Sequence, residues 1–247
     1  MGDFHGYRKL IGIVVPSTNT TVQPECDDLR PLGVTNHIAR ISIKERPLKT
    51  EQAFMEHVQA MRDGMRDAID QVNTCGPDHI IMGVALEAFW GGVGAAQELQ
   101  DELAERAGVG ISMGSTATVA ALQRLGARRI AVLTPHQPRG DEQVRTYLEE
   151  AGFEIPRLIG LQCPSPRLIA HTTRQQMLNA LKELDGDDVD AIVQVGTNLA
   201  MMGLAAEAEH WLEKPVLSIN AITYWDALRR CGVEDPIYGF GSVLEEY

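Results

Sequence analysis

The apolar positions of this chain fall into short continuous runs that alternate with longer stretches where they recur every three or four residues. Runs bounded by Gly, Pro or hydroxyl residues read as buried strands, and the three-four spacing reads as helices with one apolar face. Lys9 to Val15 (KLIGIVV) is the first run, closed by PSTNTT. A second strand is expected over 36–43. Phe54, Val58, Met61, Met65, Ile69 and Val72 then share one face of a helix. Asp78 to Gly92 (DHIIMGVALEAFWGG) carries a strand into a small-residue turn and an acidic, aromatic loop. Beyond it the pattern predicts a helix over 93–107 stopped by Gly108 and a strand over 109–113. A helix over 115–125 follows, capped by Ser115 or Thr116 and stopped by Gly126. Next come a strand over 129–134, a helix over 141–151, an extended segment over 153–161 and a loop at Gln162 to Pro166. A helix over 173–184, a strand over 190–195, a helix over 204–212, a strand over 216–219 and a helix over 221–230 complete the series.

Strands alternating with helices at this spacing form βαβ units and a parallel sheet, with ligands at the carboxyl ends of the strands. The elements also repeat. KLIGIVVPSTN is echoed by RRIAVLTPHQP, with Pro16 matching Pro135. Gly83 is matched with Gly196, and VGISMGSTATVAALQRLG with PVLSINAITYWDALRRCG. The same elements in the same order mean an α/β fold of two similar Rossmann-like halves with parallel sheets, related by pseudo-twofold symmetry, with the active site in the cleft between them. The expected division is an N-terminal half of 1–115 plus about 225–247 and a C-terminal half of 116–224.

Composition narrows the partners. A length of 247 residues with 44% hydrophobic and 23% charged residues is that of an ordinary globular chain. A net charge of −12 argues against nucleic acid or an anionic membrane as partner. It leaves room for a small anion, which backbone N–H groups can hold without a cation. Cys26, Cys75, Cys163 and Cys231 have no CxxC spacing, and no run approaches the roughly 18 residues of a membrane span, so a cytoplasmic location is expected. His57, His79, His171 and His210 have no paired spacing, so no metal is expected. GGVGAAQ and MGSTAT lack the dinucleotide fingerprint and the phosphate-loop lysine, so no cofactor is expected. The expected partner is a small-molecule carboxylate substrate, and homo-oligomer formation is left open.

Four blocks together, VVPSTNTT, MGVALEAFWGG, STATVAALQRLGARRIAVLTP and PVLSINAITYWDALRRCG, resemble the aspartate/glutamate racemase superfamily in its maleate isomerase and arylmalonate decarboxylase branch. The likeness covers nearly the whole chain. It implies two Rossmann-like halves, a cofactor-free site in the cleft and a small carboxylate or dicarboxylate substrate. In that superfamily two cysteines commonly face each other, one on each turn, to take and return a proton, while arylmalonate decarboxylases manage with one. Here the first position falls at Gly83 and the second at Gly196. A one-residue slip would give Val84, and Val195 or Thr197, and none of these carries a thiol.

What remains is an anion cradle. Its expected members are Pro16, Ser17, Asn19 and Thr20 on the first loop, Gly83, Val84 and Ala85 on the second, and Gly196, Thr197 and Asn198 on the third. Preorganised donors of this kind stabilise an enediolate or oxyanion, each worth roughly 3–4 kcal/mol. Three residues are candidates for proton transfer or nucleophilic attack. The resemblance puts His136 where relatives carry a Tyr, and imidazole titrates near neutrality. Glu87 lies in an apolar setting (LEAFW) that raises a carboxyl pKa. Cys163 stands in a loop whose counterparts in relatives approach the substrate. The competing roles are a solvent-facing loop histidine, a helix-capping carboxylate and an inert buried thiol. A preserved cradle without thiols favours a cofactor-independent decarboxylase or other lyase. The alternatives are a hydrolase in which His136 and Glu87 activate water, a maleate isomerase-like cis-trans isomerase, and a non-catalytic carboxylate-binding protein.

Overall fold

The computed structural model describes residues 3–44 and 50–247, without the side chains of Glu51 and Phe54. The first half runs β1 (Lys9–Pro16), α1 (Val22–Asp28), β2 (Val34–Ile41), α2 (Glu51–Asn73), β3 (His79–Met82), α3 (Leu86–Phe89), α4 (Gly92–Ala107), β4 (Gly110–Met113) and α5 (Gly114–Leu125). The second runs β5 (Arg129–Thr134), α6 (Pro138–Glu150), β6 (Glu154–Gly160), a 3-10 turn (Arg167–His171), α7 (Arg174–Leu184), β7 (Ala191–Gln194), α8 (Met202–Leu212), β8 (Val216–Ser218), α9 (Ile219–Arg230) and α10 (Ser242–Glu246). Each half holds a four-stranded parallel sheet, ordered β2-β1-β3-β4 in one and β6-β5-β7-β8 in the other. The fold is therefore α/β, with one topology used twice.

The strands and long helices form where the apolar pattern puts them. Val58, Met61, Met65, Ile69 and Val72 of α2 are all buried, while the Phe54 expected on the same face lies outside the described side chains. Three helices have no counterpart in the sequence reading: α1, α3 and α10, of seven, four and five residues. Such lengths are too short for a period to register, and Pro24 in α1 conceals a helix it does not forbid, since proline is tolerated in a first turn. The expected cap of α5 is also corrected. Its N-cap is Met113, with no side-chain cap, and Thr116 instead donates its hydroxyl to the Met113 carbonyl at 3.2 Å. Gly108 and Gly126 do end their helices, at φ of 68° and 69°, in the left-handed region that favours glycine.

One large apolar cluster joins the halves. It includes Ile13 and Ile81 of the first sheet, Val132 and Val193 of the second, and Ile222 and Leu228 of α9. A second cluster, with Leu133, Leu181 and Leu204, lies behind the second sheet. Helix α9 packs on β3 and β4 as well as β8, and against α5. A buried polar chain fixes it there. The Ser112 hydroxyl of β4 donates to Asp226 Oδ2 of α9 at 2.5 Å and pairs with His79 Nε2 of β3 at 2.8 Å, while Arg230 donates to the same carboxylate at 2.8 Å. This chain includes the first residue of β3, at the opposite end of that strand from the turn it feeds, so its role is structural.

Burial pushes the His79 imidazole down to about 4 from an ordinary value of 6.5. The unfolded chain takes up a proton below 6.5 that the folded protein refuses until about 4, so stability falls as pH drops through that window. The full loss is roughly 3 kcal/mol from this group. Urea denaturation of wild type and His79→Gln between pH 7 and 4 is expected to show wild type losing more stability than the variant. Parallel curves would rule out His79 as the acid-sensitive group.

Candidate active site

Loops leaving the carboxyl ends of β1, β3, β5, β6 and β7, with one face of α2, enclose a cleft of about 730 Å³, its open mouth included. Strand register decides which residues of the two central turns correspond. Val14 of β1 pairs with Met82 of β3, and Leu133 of β5 pairs with Gln194 of β7. The Gly83 N–H then donates to Val14 O at 2.7 Å and the Val195 N–H to Leu133 O at 2.8 Å. Val14 and Leu133 stand at equal distance before the matching prolines Pro16 and Pro135. Gly83 therefore matches Val195, and Val84 matches Gly196. This moves the pairing of Gly83 with Gly196 by one residue, because the two runs reach their glycines at different steps.

The residues that face the cleft follow from this register. Val84 and Gly196 line it, whereas Gly83 and Val195 do not. A side chain at Gly83 would turn into the core, its Cβ 2.6 Å from Val15 Cγ1 and 3.0 Å from Val22 Cγ1. At Gly196 a Cβ would lie 2.4 Å from Pro135 Cδ. The loop after β5 thus fills the space a side chain at 196 would need.

Pro16, Asn19, Val84, Ala85, Gly196, Thr197 and Asn198 are brought together on the cleft wall, and Ser17 and Thr20 are not. The Ser17 hydroxyl accepts the Ile43 N–H at 2.9 Å, which turns it away from the cleft, and Thr20 is exposed with its N–H donated to Asn198 Oδ1 at 2.9 Å. The expected side-chain cradle is largely satisfied within the protein. Asn19 Oδ1 accepts from the N–H groups of Thr21 and Val22 at the start of α1, and its Nδ2 donates to Thr197 Oγ1 at 3.2 Å. The Thr197 hydroxyl donates to Gly83 O at 3.2 Å, and Asn198 Nδ2 to Pro166 O at 2.9 Å. Among the described residues, the backbone N–H groups of Val84, Ala85 and Leu86 and those of Gly196, Thr197 and Asn198 donate to no protein acceptor. These two sets of free donors, one on each turn, are what the cleft offers an anion.

All three reactive candidates line the same cleft. Glu87, on α3, is only 3% exposed, and burial pushes its carboxyl up to about 7, against hydrogen bonding from its own N–H and the charge of Arg62. Arg62 Nε is itself buried and has no hydrogen-bond partner among the described residues. His136 is half-buried, but its Nε2 is fully buried and unpartnered among the described residues, and burial pushes the imidazole down to about 4. It is therefore a neutral ring at neutral pH. Cys163 is half-buried, its Sγ 3.5 Å from Thr172 Oγ1. Its loop is zipped to the one after β5: Gln162 N–H donates to His136 O at 3.1 Å and Cys163 N–H to Pro135 O at 2.9 Å. Gln162 takes φ of 49°, a left-handed conformation uncommon for a residue with a side chain, to make that turn. Of the four cysteines, Cys163 lines the cleft, and Cys26 is buried in the core.

His57, Met61, Gln137 and Ile169 also line the wall and were not among the expected site residues, and Thr18 lines it from the hydroxyl-rich loop expected to do so. For His57 a signal existed: it adjoins Val58 and precedes Met61 by one helical turn, so it borders the buried face of α2. Ile169 belongs to the 3-10 turn, which no periodicity announced. No group of three His, Cys, Asp or Glu side chains among the described residues is arranged to hold a metal, and no described helix is long and apolar enough to cross a membrane.

Known proteins share this architecture. The maleate isomerase of Nocardia farcinica is 26% identical over 98% of this chain and 97% of its own. A solved structure of that organism's maleate cis-trans isomerase, a cysteine-to-serine variant with a covalently bound succinylcysteine intermediate, superposes with a TM-score of 0.89 at 25% identity, covering 97% of this chain and 99% of that one. The arylmalonate decarboxylase of Bordetella bronchiseptica is 26% identical over 67% of this chain and 70% of its own. Since the arylmalonate decarboxylase family profile matches residues 11–244, nearly the whole of both halves and every loop around the cleft, the chain belongs to that family.

Proposed function

We propose that this protein is a cofactor-independent isomerase of a small unsaturated dicarboxylate, with Cys163 as the nucleophile. Its enzyme relatives act on small carboxylates, and maleate isomerases match it over a larger share of its length than arylmalonate decarboxylase does. The observation that carries the proposal is a thiol lining a cleft with free N–H groups on two separate turns. Two donor sets suit two carboxylates. With Val84 and Gly196 at the matched turn positions, a covalent route needs a nucleophile from another loop, and Cys163 is at hand. Its thiolate would add to one alkene carbon, and the electron pair displaced would pass into the adjacent carboxylate as an enediolate held by one turn. Rotation about the new single bond and expulsion of the thiolate would then give the trans isomer, with no net change of atoms or electrons.

A second reading, decarboxylation of a substituted malonate, is supported by a different observation. Glu87 is buried among apolar residues with its carboxyl near 7, so a large fraction stays protonated at neutral pH and can give a proton to the enediolate left by departing carbon dioxide.

Two assays separate the readings. Proton NMR of maleate incubated with the protein is expected to show fumarate forming, with a drop of about a hundredfold or more in Cys163→Ser. Conversion that persists in that variant would remove Cys163 from the reaction. If malonates release carbon dioxide while maleate is inert, the decarboxylase reading replaces the first. Its rate should then fall as pH rises through about 7, because the acid form of Glu87 is lost, and Glu87→Gln should abolish that fall along with most of the rate.

A further inference from the structure

Behind the Gly196–Asn198 turn lies a side chain that does not line the cleft and yet holds the turn. Glu25 of α1 is 9% exposed, and each of its oxygens faces a donor from the second half of the chain. Oε1 accepts the Met202 N–H at the start of α8 at 3.2 Å, and Oε2 accepts Asn220 Nδ2 of α9 at 2.6 Å. The same Asn220 amide donates to the Thr197 carbonyl at 2.9 Å. A neighbouring carbonyl is held likewise: Gln194 Nε2 donates to Gly196 O at 2.8 Å and Gln194 Oε1 accepts from the Ser218 hydroxyl at 3.3 Å.

The direction of those carbonyls matters because the peptides are trans. In a trans peptide the C=O and the following N–H point opposite ways. A Thr197 carbonyl drawn back to Asn220 turns the Asn198 N–H away from Asn220. A Gly196 carbonyl drawn back to Gln194 does the same for the Thr197 N–H. These are two of the donors left without a protein acceptor. Asn220 alone is a flexible amide that can flip. Glu25 accepts from its Nδ2, so the NH2 end must face both Glu25 and Thr197.

We propose that Glu25 is a positioning residue which, through Asn220, aims the N–H groups of the Thr197–Asn198 turn at the ligand. The link to ligand binding rests on the anion-site reading above, whereas the link to the turn does not. Two residues along this segment act on Thr197: Asn19, which accepts the Val22 N–H at the start of α1, donates to the Thr197 hydroxyl, and Glu25, in the middle of α1, acts on the Thr197 carbonyl through Asn220. Bonds from one half thus set the donors of the other.

The test uses amide NMR of the full-length protein, with malonate as the dicarboxylate probe. In Glu25→Gln an amide nitrogen or oxygen replaces a double acceptor and leaves a donor facing a donor. The Asn198 and Thr197 amide resonances of the free protein are expected to move while those of Val84 and Ala85 stay. Malonate affinity is expected to weaken about tenfold. Ser112→Ala, which cuts the structural chain at the start of β3, should lower stability and leave both the Asn198 resonance and malonate affinity unchanged. Should Glu25→Gln fail to fold, Glu25→Asp withdraws the carboxylate by one methylene and is read in the same way. Unmoved Asn198 and Thr197 resonances would overturn the proposal. If they move and even the wild type ignores malonate, the positioning stands and the anion-site reading falls.

Discussion

A buried hydroxyl that bridges the two halves ties three of the loops around the cleft together. Thr197 Oγ1 accepts from Asn19 and donates to the Gly83 carbonyl, so the loops after β1, β3 and β7 meet at one atom. Each bond contributes about 1 kcal/mol net, but removing the hydroxyl would leave a buried amide and a carbonyl unpaired, at a further cost of about 1–3 kcal/mol. The interaction also sets the distance between the two donor sets. Apolar packing in the shared core is non-directional and brings the halves together; the hydroxyl selects one arrangement among those packing would allow.

A topology used twice generates loops in equivalent pairs, and function enters where the equivalence fails. Ser17 and His136 follow matching prolines, yet Ser17 turns out to Ile43 while His136 keeps a buried ring nitrogen in the cleft region. Val84 and Gly196 occupy matching positions, yet one presents an apolar side chain and the other has no room for any, because Pro135 packs against it. The two turns share their free N–H groups and differ in everything else. In the isomerase proposed above, such a cleft would treat the two ends of a dicarboxylate alike electrostatically and differently in shape.

Most of the fold was legible because it is repetitive and apolar: every strand and every helix longer than seven residues follows from period and stop signals. What escaped was short or set by partners distant in sequence. Helix α3 has four residues, and its carboxylate Glu87 is legible only from its place just past the turn after β3 and its apolar neighbours LEAFW. The cap of α5 was misplaced because hydroxyls at a helix start need not cap it. The strings leave Gly83 and Val84 as alternatives one residue apart, and the ladders β1–β3 and β5–β7 decide between them. Asn19 reads from the sequence as a ligand donor, whereas its side chain bonds the start of α1 and Thr197, a residue 178 positions away.

The electrostatics of the cleft follow from burial more than from charge. His136 is held neutral by desolvation, and Glu87, also desolvated, gives up its proton only near pH 7. Neither opposes an anion as strongly as an exposed carboxylate would, and the free N–H groups present the positive ends of peptide dipoles on both turns. Among the described residues the cleft wall carries no Lys or Arg, so in this chain of net charge −12 the dicarboxylate site proposed above relies on those N–H groups. Burial sets the protonation of Glu87, and the bond at Thr197, with those of Thr20 and Thr21 to Asn198, holds the turns that carry the free donors.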